Sequence, residues 1–506
     1  MKNLIKKIVP SFIFSIYHWK LAFFGALIYG FPSSKLKVIG VTGTKGKTTT
    51  CNLIAQLLQG AGLKTGMATT VNFMIGDKMW INEYKQTMLG RFKLQKLLRQ
   101  MVREGCKYAV IETSSEGILQ YRHQFINYSI AVFTNLTPEH IERHGSFEKY
   151  KEAKLKLFEQ VAKKKDGIGV YNLDDKNVGE FLEAGIVKKV GYDIDTPHPS
   201  PFLNRGEGEN SKENLPPASP DASRGGQPLL KEGSSLPLGR AREDFKRFQI
   251  SNIKLSPNKT EFFINGIKFE MSLIGEFNVY NAVAAICVAQ SQGIGMEKIK
   301  AILAHAKPTP GRLEVVDCGQ PFTVIIDYAH EPASLEAVYK TLKIFNPHTS
   351  RGEEASPRKI IAVLGGQGGG RDKAKRPILG KISSQYADVV IITNEDPYDE
   401  KPEEIIEDVA AGVVFSCHSG LEPESRLSNL DSRLHGNDKK VEVFKILDRR
   451  EAIKKALSLA QAGDIVILTG KGGEVWIYVE NGKKIPWNER EIVEEELGAI
   501  SFDNNR

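Results

Sequence analysis

Short apolar runs alternate with amphipathic segments along most of the chain after residue 37. Residues 38–42 form a β-branched run that predicts a buried strand, and residues 48–58 then place apolar side chains at helical spacing. Strands that alternate with helices are typical of a mostly parallel sheet with helices on both faces. The sequence therefore predicts an α/β fold. Further strands are predicted at residues 108–111, 130–133, 323–326, 360–364, 389–393 and 464–469, and further helices at residues 147–159, 281–290, 333–344 and 375–385.

Two segments interrupt this pattern. Residues 195–244 are rich in Pro, Gly, Ser and charged residues and nearly free of aromatic ones, which predicts a disordered surface insertion. A second insertion is predicted at about residues 416–440, and neither insertion is expected to carry chemistry. The sequence KPTPGR at residues 307–312 is typical of an interdomain linker. The pattern predicts a short N-terminal segment, a central domain and a C-terminal domain, at residues 1–36, 37–307 and 308–506.

Composition narrows the class of protein. The chain has 506 residues, of which 41% are hydrophobic and 26% charged, so it can form two or three globular domains. A net charge of +8 suits an enzyme with anionic substrates. No long basic run is interleaved with aromatic residues, so nucleic acid is not an expected partner. The five cysteines are scattered without metal-ligand spacing, which favours a reducing compartment and therefore a cytoplasmic protein.

The N-terminal segment is basic and apolar. Residues 1–37 contain six lysines and no acidic residue. A transmembrane helix needs roughly 20 consecutive apolar residues, and His18 and Lys20 interrupt the run here. Two interpretations remain open for this segment. It is either a packed helix that caps the next domain, or a basic amphipathic element that rests on the inner membrane face.

The strongest chemical motif is VIGVTGTKGKTTT at residues 38–50. A strand leads into a Gly-rich turn and then into the N-terminus of a helix, where backbone N–H groups and the helix dipole favour phosphate. We expect Lys47 to reach the β- and γ-phosphates of a nucleotide and the Thr48 hydroxyl to bind Mg²⁺. The strict pattern has glycine where Val41 stands, and this loop uses Gly43 instead. The candidate nucleotide-binding residues of the loop are Gly43, Thr44, Lys45, Gly46, Lys47, Thr48 and Thr49.

A carboxylate follows the strand predicted at residues 108–111. Glu112 begins the sequence ETSSEGILQYR. At the end of a parallel strand it would face the phosphate loop, where an oxygen ligand suits Mg²⁺. Taken alone, the same residue could form an ordinary surface ion pair at the end of a strand.

Further motifs along the chain carry a resemblance to a known family. They are TNLTPEHIERHG at residues 134–145 with EAK at 152–154, GEFNVYN at 275–281, GRLE at 311–314, DYAH at 327–330, GGGRDKAKRP at 368–377, NEDPY at 394–398 and GKGGE at 470–474. With the phosphate loop and the segment at 111–122, they resemble the Mur ligases that add the third residue of the stem peptide. The resemblance spans residues 37–495 apart from the two insertions. It implies a parallel-sheet central domain that binds ATP and a smaller Rossmann-like C-terminal domain.

The resemblance also implies roles for individual residues. His140 corresponds to a ligand of a second Mg²⁺, and Lys154 to a lysine that reacts with CO₂ to form a carbamate (N6-carboxylysine). With Lys47 and Glu112, these are the candidate catalytic residues, and the implied metal ligands are Thr48, Glu112, His140 and Lys154. Asn278 would lie near the adenine of ATP, Arg312 near its phosphates and Asp327 near its ribose. The implied acceptor-binding residues are Thr87, Ser114, Gln120 and Arg122, and the implied amino-acid-binding residues are Arg371, Glu395, Asp396, Tyr398, Gly470 and Glu474.

The sequence departs from the family pattern in three places. Tyr398 replaces an arginine that binds the distal carboxylate of diaminopimelate in the relatives, Glu395 replaces an aspartate, and Glu116 replaces a histidine. A tyrosine cannot make a charge-assisted bidentate contact with a carboxylate. We therefore predict an incoming amino acid without a distal carboxylate, unless Arg371 supplies the missing cation. The relatives also carry a larger N-terminal uridine-binding domain, so the acceptor is either a UDP-linked dipeptide held by the central domain or a lipid-linked form.

The resemblance implies an ATP-dependent acid–amino-acid ligase that releases ADP. It would use two Mg²⁺ ions and would act as a cytoplasmic monomer on a muramoyl dipeptide and a free amino acid. A folylpolyglutamate synthetase-like ligase is an alternative, since it shares the phosphate loop and the lysine. A membrane-associated nucleotide-binding protein with little catalysis is a second alternative.

Overall fold

The computed structural model describes residues 11–84, 86–138, 144–194, 246–256, 259–344, 358–414 and 441–500. Both predicted insertions, at 195–244 and at about 416–440, lie outside these residues. The described residues form two separate large sheets and one small one.

The first large sheet has eleven strands and is parallel in its central part. Its strand order is β11-β10-β9-β8-β7-β6-β1-β5-β2-β3-β4, and antiparallel hairpins close both edges. The strands are β1 Lys37–Thr42, β2 Thr65–Ala68, β3 Asn72–Ile75, β4 Lys78–Ile81, β5 Tyr108–Glu112, β6 Tyr128–Phe133, β7 Ile168–Asn172, β8 Lys188–Ile194, β9 Lys246–Leu255, β10 Thr260–Ile264 and β11 Ile267–Met271.

Helices cover both faces of the first sheet, because its central strands are apolar on both sides and need two apolar layers to bury them. One core contains Ile54, Leu57 and Ala285, and the other contains Leu98 and Phe158. These helices are α1 Ser11–Ile28, α2 Lys47–Gly60, α3 Arg91–Arg103, α4 Ser115–Leu119, α5 Phe147–Ala162, α6 Val178–Leu182, α7 Glu276–Ser291 and α8 Met296–Ala304.

The second large sheet has six strands in the order β12-β13-β17-β14-β15-β16, and only β12 is antiparallel to its neighbour. The strands are β12 Glu314–Val316, β13 Thr323–Ile326, β14 Ile360–Gln367, β15 Val389–Asp396, β16 Glu442–Ile446 and β17 Ile465–Leu468, followed by the small hairpin of β18 Trp476–Tyr478 and β19 Lys484–Pro486. The helices are α9 Pro332–Ile344, α10 Lys375–Tyr386, α11 Pro402–Ala410, α12 Arg449–Leu459 and α13 Glu489–Ala499.

These two sheets confirm the predicted α/β fold class, and each strand predicted from an apolar run is present. Sequence periodicity did not predict the edge strands β2–β4 or helix α3. The strands β2–β4 each contain one β-branched residue, whereas β13 and β17, which are equally short, contain three or four. The chain crosses between the sheets after α8, where the linker was predicted.

The N-terminal helix α1 packs on α3, with Ala22 and Ala26 buried between them. The Cβ of a residue replacing Gly25 would lie 3.5 Å from the backbone of Arg91, so small side chains allow the two helices to approach closely. Within the described ranges, no helix combines the length and the apolar content needed to cross a bilayer.

Candidate functional site

The phosphate loop lies between β1 and α2 and is held by the segment that follows β6. The Thr44 N–H donates to the carbonyl oxygen of Asn135 at 2.9 Å, and the Lys45 N–H donates to the Asn135 side-chain oxygen at 2.9 Å. The Thr134 hydroxyl donates to the carbonyl of Lys45 at 2.7 Å. Gly46 has a φ of 79° and lies against Asn281, whose side-chain oxygen would be 2.2 Å from an added Cβ. The position therefore requires glycine.

The predicted magnesium ligands of the first site are in contact. The Thr48 hydroxyl donates to Glu112 Oε2 at 2.9 Å, and the Thr70 N–H donates to the same oxygen at 2.8 Å. Glu112 is 2% exposed, and it ends β5, which pairs with β1. A hydroxyl and a carboxylate at this spacing are oxygen ligands of the kind that Mg²⁺ prefers. These residues therefore fit a magnesium ion next to the phosphate loop.

Lys154 reaches the phosphate loop from α5. Its Nζ donates to the carbonyl oxygen of Gly43 at 2.6 Å and lies 4.3 Å from the ring centroid of Tyr150. Only 1% of the residue is exposed, whereas Lys149 and Lys156 of the same helix are exposed. The Tyr150 hydroxyl donates to Thr44 Oγ1 at 3.2 Å, so two residues of α5 contact this loop. His140, the other predicted ligand, lies outside the described residues.

Asn278 is connected to the loop through Asn281. The Asn281 amide donates to Asn278 Oδ1 at 3.0 Å, and its own oxygen accepts from the Thr50 hydroxyl at 3.2 Å. Asn278 in turn donates to the carbonyl of Ile274 at 2.8 Å, which fixes its orientation. The sequence pattern singled out Asn278 but did not predict that Asn281 contacts the loop, since only the packing of α7 on α2 brings the two together.

Arg312 and Asp327 lie where the chain enters the second sheet. The Asp327 carboxylate accepts from the N–H groups of Leu313 at 2.8 Å and Ala329 at 2.7 Å. Burial raises the pKa of Asp327, and the Arg312 charge and these two N–H donors oppose the rise. The Arg312 guanidinium lies 4.5 Å from the ring centroid of Tyr328. In this geometry Asp327 holds Leu313, directly after the predicted linker, and a contact with ribose stays a prediction.

A second glycine-rich loop, at residues 470–474, follows β17. Lys471 is fully buried, and its Nζ lies 2.9 Å from Asp396 Oδ1 and 2.7 Å from Glu474 Oε2. Glu395 is also buried, and the Gln367 amide donates to it at 2.7 Å. Burial and the neighbouring Asp396 raise the pKa of Glu395. Both Glu395 and Asp396, predicted to bind the incoming amino acid, thus contact side chains of the second domain itself.

Tyr398 and Arg371 lie side by side. Tyr398 has a φ of 53° and stacks on Tyr478, with ring centroids 5.3 Å apart. The Arg371 guanidinium donates to the Tyr398 hydroxyl at 3.5 Å and also to the side-chain oxygen of Gln367. A cation therefore lies beside the residue that replaces the family arginine.

The two halves of the molecule meet in a small cleft of about 80 Å³. Thr70 and Asn82 line it from the first sheet, and the residues that line it from the second include Arg312, Arg371 and Glu474. Gly311 has a φ of 65°, and an added Cβ would lie 1.8 Å from the N of Gly473. The cleft brings the Arg312, Arg371 and Glu474 positions together with Thr70, which also contacts Glu112.

The predicted acceptor residues surround the short helix α4. Ser114 caps its N-terminus by accepting from the Gly117 N–H at 3.1 Å. Arg122 donates to the Gln120 side-chain oxygen, at 3.1 Å from Nε, and to the carbonyl of Met88. Thr87 is half-buried next to Met88. The structure therefore brings Thr87, Gln120 and Arg122 to one side of the first sheet.

Comparisons with known proteins agree with this geometry. A family model described as "Mur ligase middle domain" matches residues 41–213 and 234–289, and one described as "Mur ligase, glutamate ligase domain" matches residues 311–472. A UDP-N-acetylmuramoyl-L-alanyl-D-glutamate–2,6-diaminopimelate ligase from Syntrophomonas wolfei is 31% identical over 480 residues, which are 94% of this chain and 81% of that protein.

Two further similarities extend the comparison. A UDP-N-acetylmuramyl-tripeptide synthetase from Roseiflexus sp. is 32% identical over 494 residues, which are 95% of this chain and 82% of that protein. A solved structure of a UDP-N-acetylmuramoyl-L-alanyl-D-glutamate–2,6-diaminopimelate ligase is 27% identical with a TM-score of 0.56, covering 92% of this chain and 78% of that one. The similarity therefore extends over both sheets.

Proposed function

The chain belongs to the Mur ligase family, and on this premise we propose that it adds the third amino acid to a muramoyl-dipeptide precursor of peptidoglycan. The reaction would consume ATP and form an amide bond. The proposal rests on two contacts at the phosphate loop: Thr48 contacts Glu112, and Lys154 contacts Gly43. These groups come from three separate elements, and each matches a motif of the family.

The proposed chemistry has two steps. A carboxylate oxygen of the acceptor attacks the γ-phosphorus of ATP, the bond to the ADP oxygen breaks, and an acyl phosphate forms. The amine of the incoming amino acid then attacks the acyl carbon, phosphate leaves, and the nitrogen loses a proton. Lys47 and Arg312 would offset the negative charge that develops on the transferred group. Closure of the cleft at Thr70 and Glu474 would exclude water from the acyl phosphate.

Thr48 and Glu112 would hold one Mg²⁺, and His140 with a carbamylated Lys154 would hold a second. Bound there, the ions would polarise the phosphate oxygens and orient them for in-line attack. An ammonium group repels a metal ion, so Lys154 fits this role only after it has reacted with CO₂. The position of Lys154 supports this role, because its buried Nζ lies at the carbonyl oxygen of Gly43 in the phosphate loop.

We divide the chain into residues 1–36, 37–307 and 308–506, and we take it to act as a monomer, since one chain supplies both walls of the cleft. For residues 1–36, the interpretation as a packed helix fits the contact of α1 with α3, and a peripheral contact with the inner membrane face is the second interpretation. The folylpolyglutamate synthetase-like alternative is less well supported, because the relatives reported above are muramoyl-peptide ligases.

The test is product analysis by mass spectrometry. Purified protein, ATP and Mg²⁺ are incubated with UDP-muramoyl dipeptide and a mixture of amino acids, and ADP is measured in parallel. The proposal predicts a product heavier by one amino-acid residue and ADP release that depends on the acceptor. ADP release without any acceptor dependence, or activity only with a folate, would overturn it.

A further inference from the structure

Two side chains in the cleft between the halves carry a buried N–H that has no acceptor among the described residues. They are Arg312, through Nε, and Trp476, through Nε1. Arg312 is already expected at the phosphates of ATP, whereas none of the roles considered above uses Trp476. An indole N–H can only donate, and a buried donor without an acceptor costs free energy. Trp476 therefore indicates that the cleft receives a ligand with an acceptor atom.

The acceptors that line the cleft are bonded elsewhere. Glu474 accepts from the Tyr328 hydroxyl at 3.2 Å through Oε1 and from Lys471 Nζ at 2.7 Å through Oε2. The side-chain oxygen of Asn82 accepts from the Tyr84 N–H at 3.0 Å. Neither side chain is within hydrogen-bond distance of the indole N–H of Trp476. The acceptor that this indole lacks would therefore come from a bound molecule.

The charge and the size of the cleft favour a small anionic group. Arg312 and Arg371 line it, and the negative charge of Glu474, which also lines it, is offset by the buried Lys471. The volume of about 80 Å³ has room for on the order of five water-sized groups. A nucleotide is too large for this space. The amine, central carbon and carboxylate that all α-amino acids share are of about the right size.

Trp476 lies among the residues predicted to bind the incoming amino acid. Its carbonyl oxygen accepts from Lys471 Nζ at 2.6 Å, and the same ammonium group lies 2.9 Å from Asp396 Oδ1. Two residues further along β18, the Tyr478 ring stacks on Tyr398. The residues predicted to bind the acceptor peptide surround α4 instead. An acceptor atom at Trp476 therefore fits the amino acid better than the peptide.

Resting on the proposed function, we propose that Trp476 binds the incoming amino acid by donating its Nε1 hydrogen to the α-carboxylate. The Arg371 guanidinium adds a favourable charge in the same cleft. The amine, attached to the same carbon as the carboxylate, would share this small space with Thr70, whose N–H donates to Glu112. Trp476 thus distinguishes an α-amino acid from a simple amine, and the choice among amino-acid side chains is left to the region of Tyr398.

The test is steady-state kinetics of Trp476→Phe, which keeps an aromatic ring and removes the N–H. ADP release is measured with ATP, UDP-muramoyl dipeptide and one amino acid at a time: diaminopimelate, lysine, ornithine or alanine. The KM of the preferred amino acid should rise about tenfold, which corresponds to about 1.4 kcal/mol. The value of kcat and the KM values of ATP and the dipeptide should change by less than about twofold, because the lost contact serves binding only. The preference for that amino acid over the amine that lacks its α-carboxyl group should also fall about tenfold.

The free energy of unfolding provides a second readout, with Trp487→Phe as the matched control. Both tryptophans are half-buried in the same domain, but the Trp487 N–H already donates to Glu489 at 2.6 Å. The two substitutions remove the same atoms, so they differ in whether a hydrogen bond is lost. In urea and without substrate, Trp476→Phe should therefore lose less stability than Trp487→Phe. Trp487→Phe should keep the KM of the amino acid.

An unchanged KM for the amino acid in Trp476→Phe would overturn the inference. A rise in the KM of ATP or of the dipeptide instead would do the same, since the acceptor atom would then belong to a phosphate or to the peptide. A loss of stability equal to that of Trp487→Phe would show that the Trp476 N–H is already paired, and would also overturn it.

Equilibrium dialysis of the four labelled amino acids against the protein with ADP and Mg²⁺ separates this inference from the proposed function, because it needs no turnover. Trp476→Phe should bind the tightest of them about tenfold more weakly than the wild type does. If it does so while the wild type forms no product, the ligase function fails and the inference stands. If the wild type binds none of them, the inference is overturned.

Discussion

Two glycine-rich loops, each with a lysine, follow parallel strands in the two large sheets. In the first, Lys47 begins α2, is half-buried and donates to the carbonyl of Thr44 at 2.8 Å. In the second, Lys471 is fully buried between the carboxylates of Asp396 and Glu474. Similar local sequences at similar positions in a sheet therefore place a lysine in two different surroundings.

The positive charges of Lys47 and Lys471 therefore serve different purposes. A lysine at the edge of a loop can interact with a ligand phosphate without holding the fold together. A lysine enclosed by two carboxylates is part of the interior, and removing it leaves buried negative charge. We therefore expect the first loop to determine the rate of the reaction and the second loop to determine the stability of the fold.

The largest effect is expected for Lys47→Ala. Acceptor-dependent ADP release should fall by more than about a thousandfold, or about 4 kcal/mol of transition-state stabilisation, because the γ-phosphate loses its cation. The free energy of unfolding, measured in urea, should change by less than about 0.5 kcal/mol. Lys78→Ala, at an exposed lysine, is the control. Near-normal turnover of Lys47→Ala would show that this loop does not bind the transferred phosphate.

For Lys471→Met we expect the opposite result. The free energy of unfolding should fall by about 3 kcal/mol, since Asp396 stays buried without its cation. Lys483→Met, at an exposed lysine in the same domain, should leave it unchanged. Urea denaturation of both variants decides the question. If Lys471→Met kept its free energy of unfolding and lost only activity, Lys471 would not be a stabilising residue. The two loops would then not differ in the expected way.

Lys154→Ala should reduce turnover by at least about a hundredfold, or about 2.7 kcal/mol. A small carboxylate such as formate should restore part of the activity, because it can occupy the space left by the carbamate. Lys149→Ala, on the exposed face of the same helix, is the control. If formate restored no activity and Lys154 gained no mass in bicarbonate, the carbamate would be contradicted. Lys154 would then act only through its contact with the phosphate loop.

The amino-acid preference tests the segment just after β15, which lies beside the second loop, as a specificity site. With Tyr398 in place of an arginine, diaminopimelate should lose roughly 1.4 kcal/mol of binding or more, so lysine, ornithine or alanine should compete at least about ten times better. Competition in one reaction, followed by mass spectrometry, measures this. Preferred diaminopimelate would contradict the prediction, and loss of that preference in Arg371→Gln would then show that Arg371 binds the distal carboxylate.

The smallest effect concerns one histidine in each half, the buried His123 and the partly buried His330. Burial, as the largest cause, lowers the pKa of both His123 and His330 from 6.5 to about 4. Between these pKa values the unfolded chain binds more protons than the folded one. The contribution of each histidine to the free energy of unfolding is therefore complete above pH 6.5 and is lost as the pH falls. From pH 6.5 to 5.5 each histidine should cost about 1 kcal/mol. Urea denaturation of His123→Gln should show a shallower pH dependence, and an unchanged slope would contradict this.

The sequence alone determined the elements and the chemistry of the first loop. Alternating apolar runs predicted the central strands, because the periods of strands and helices are local properties of the chain. The glycines and Lys47 predicted a phosphate site for the same reason. The resemblance then pointed to Lys154, which no local pattern distinguishes from its neighbours.

Only the tertiary structure decided which side chains meet and which are buried. The contact of Asn281 with the phosphate loop spans 231 residues to Thr50, and it depends on how α7 packs against α2. The contact of His18 with Arg91 depends on α1 lying over α3. The burial of Lys471 depends on the loop after β17 lying against Asp396 at the end of β15, two strands away in the sheet. Such contacts arise from strand order and helix packing, which bring together segments distant in the chain, so no local pattern of residues encodes them.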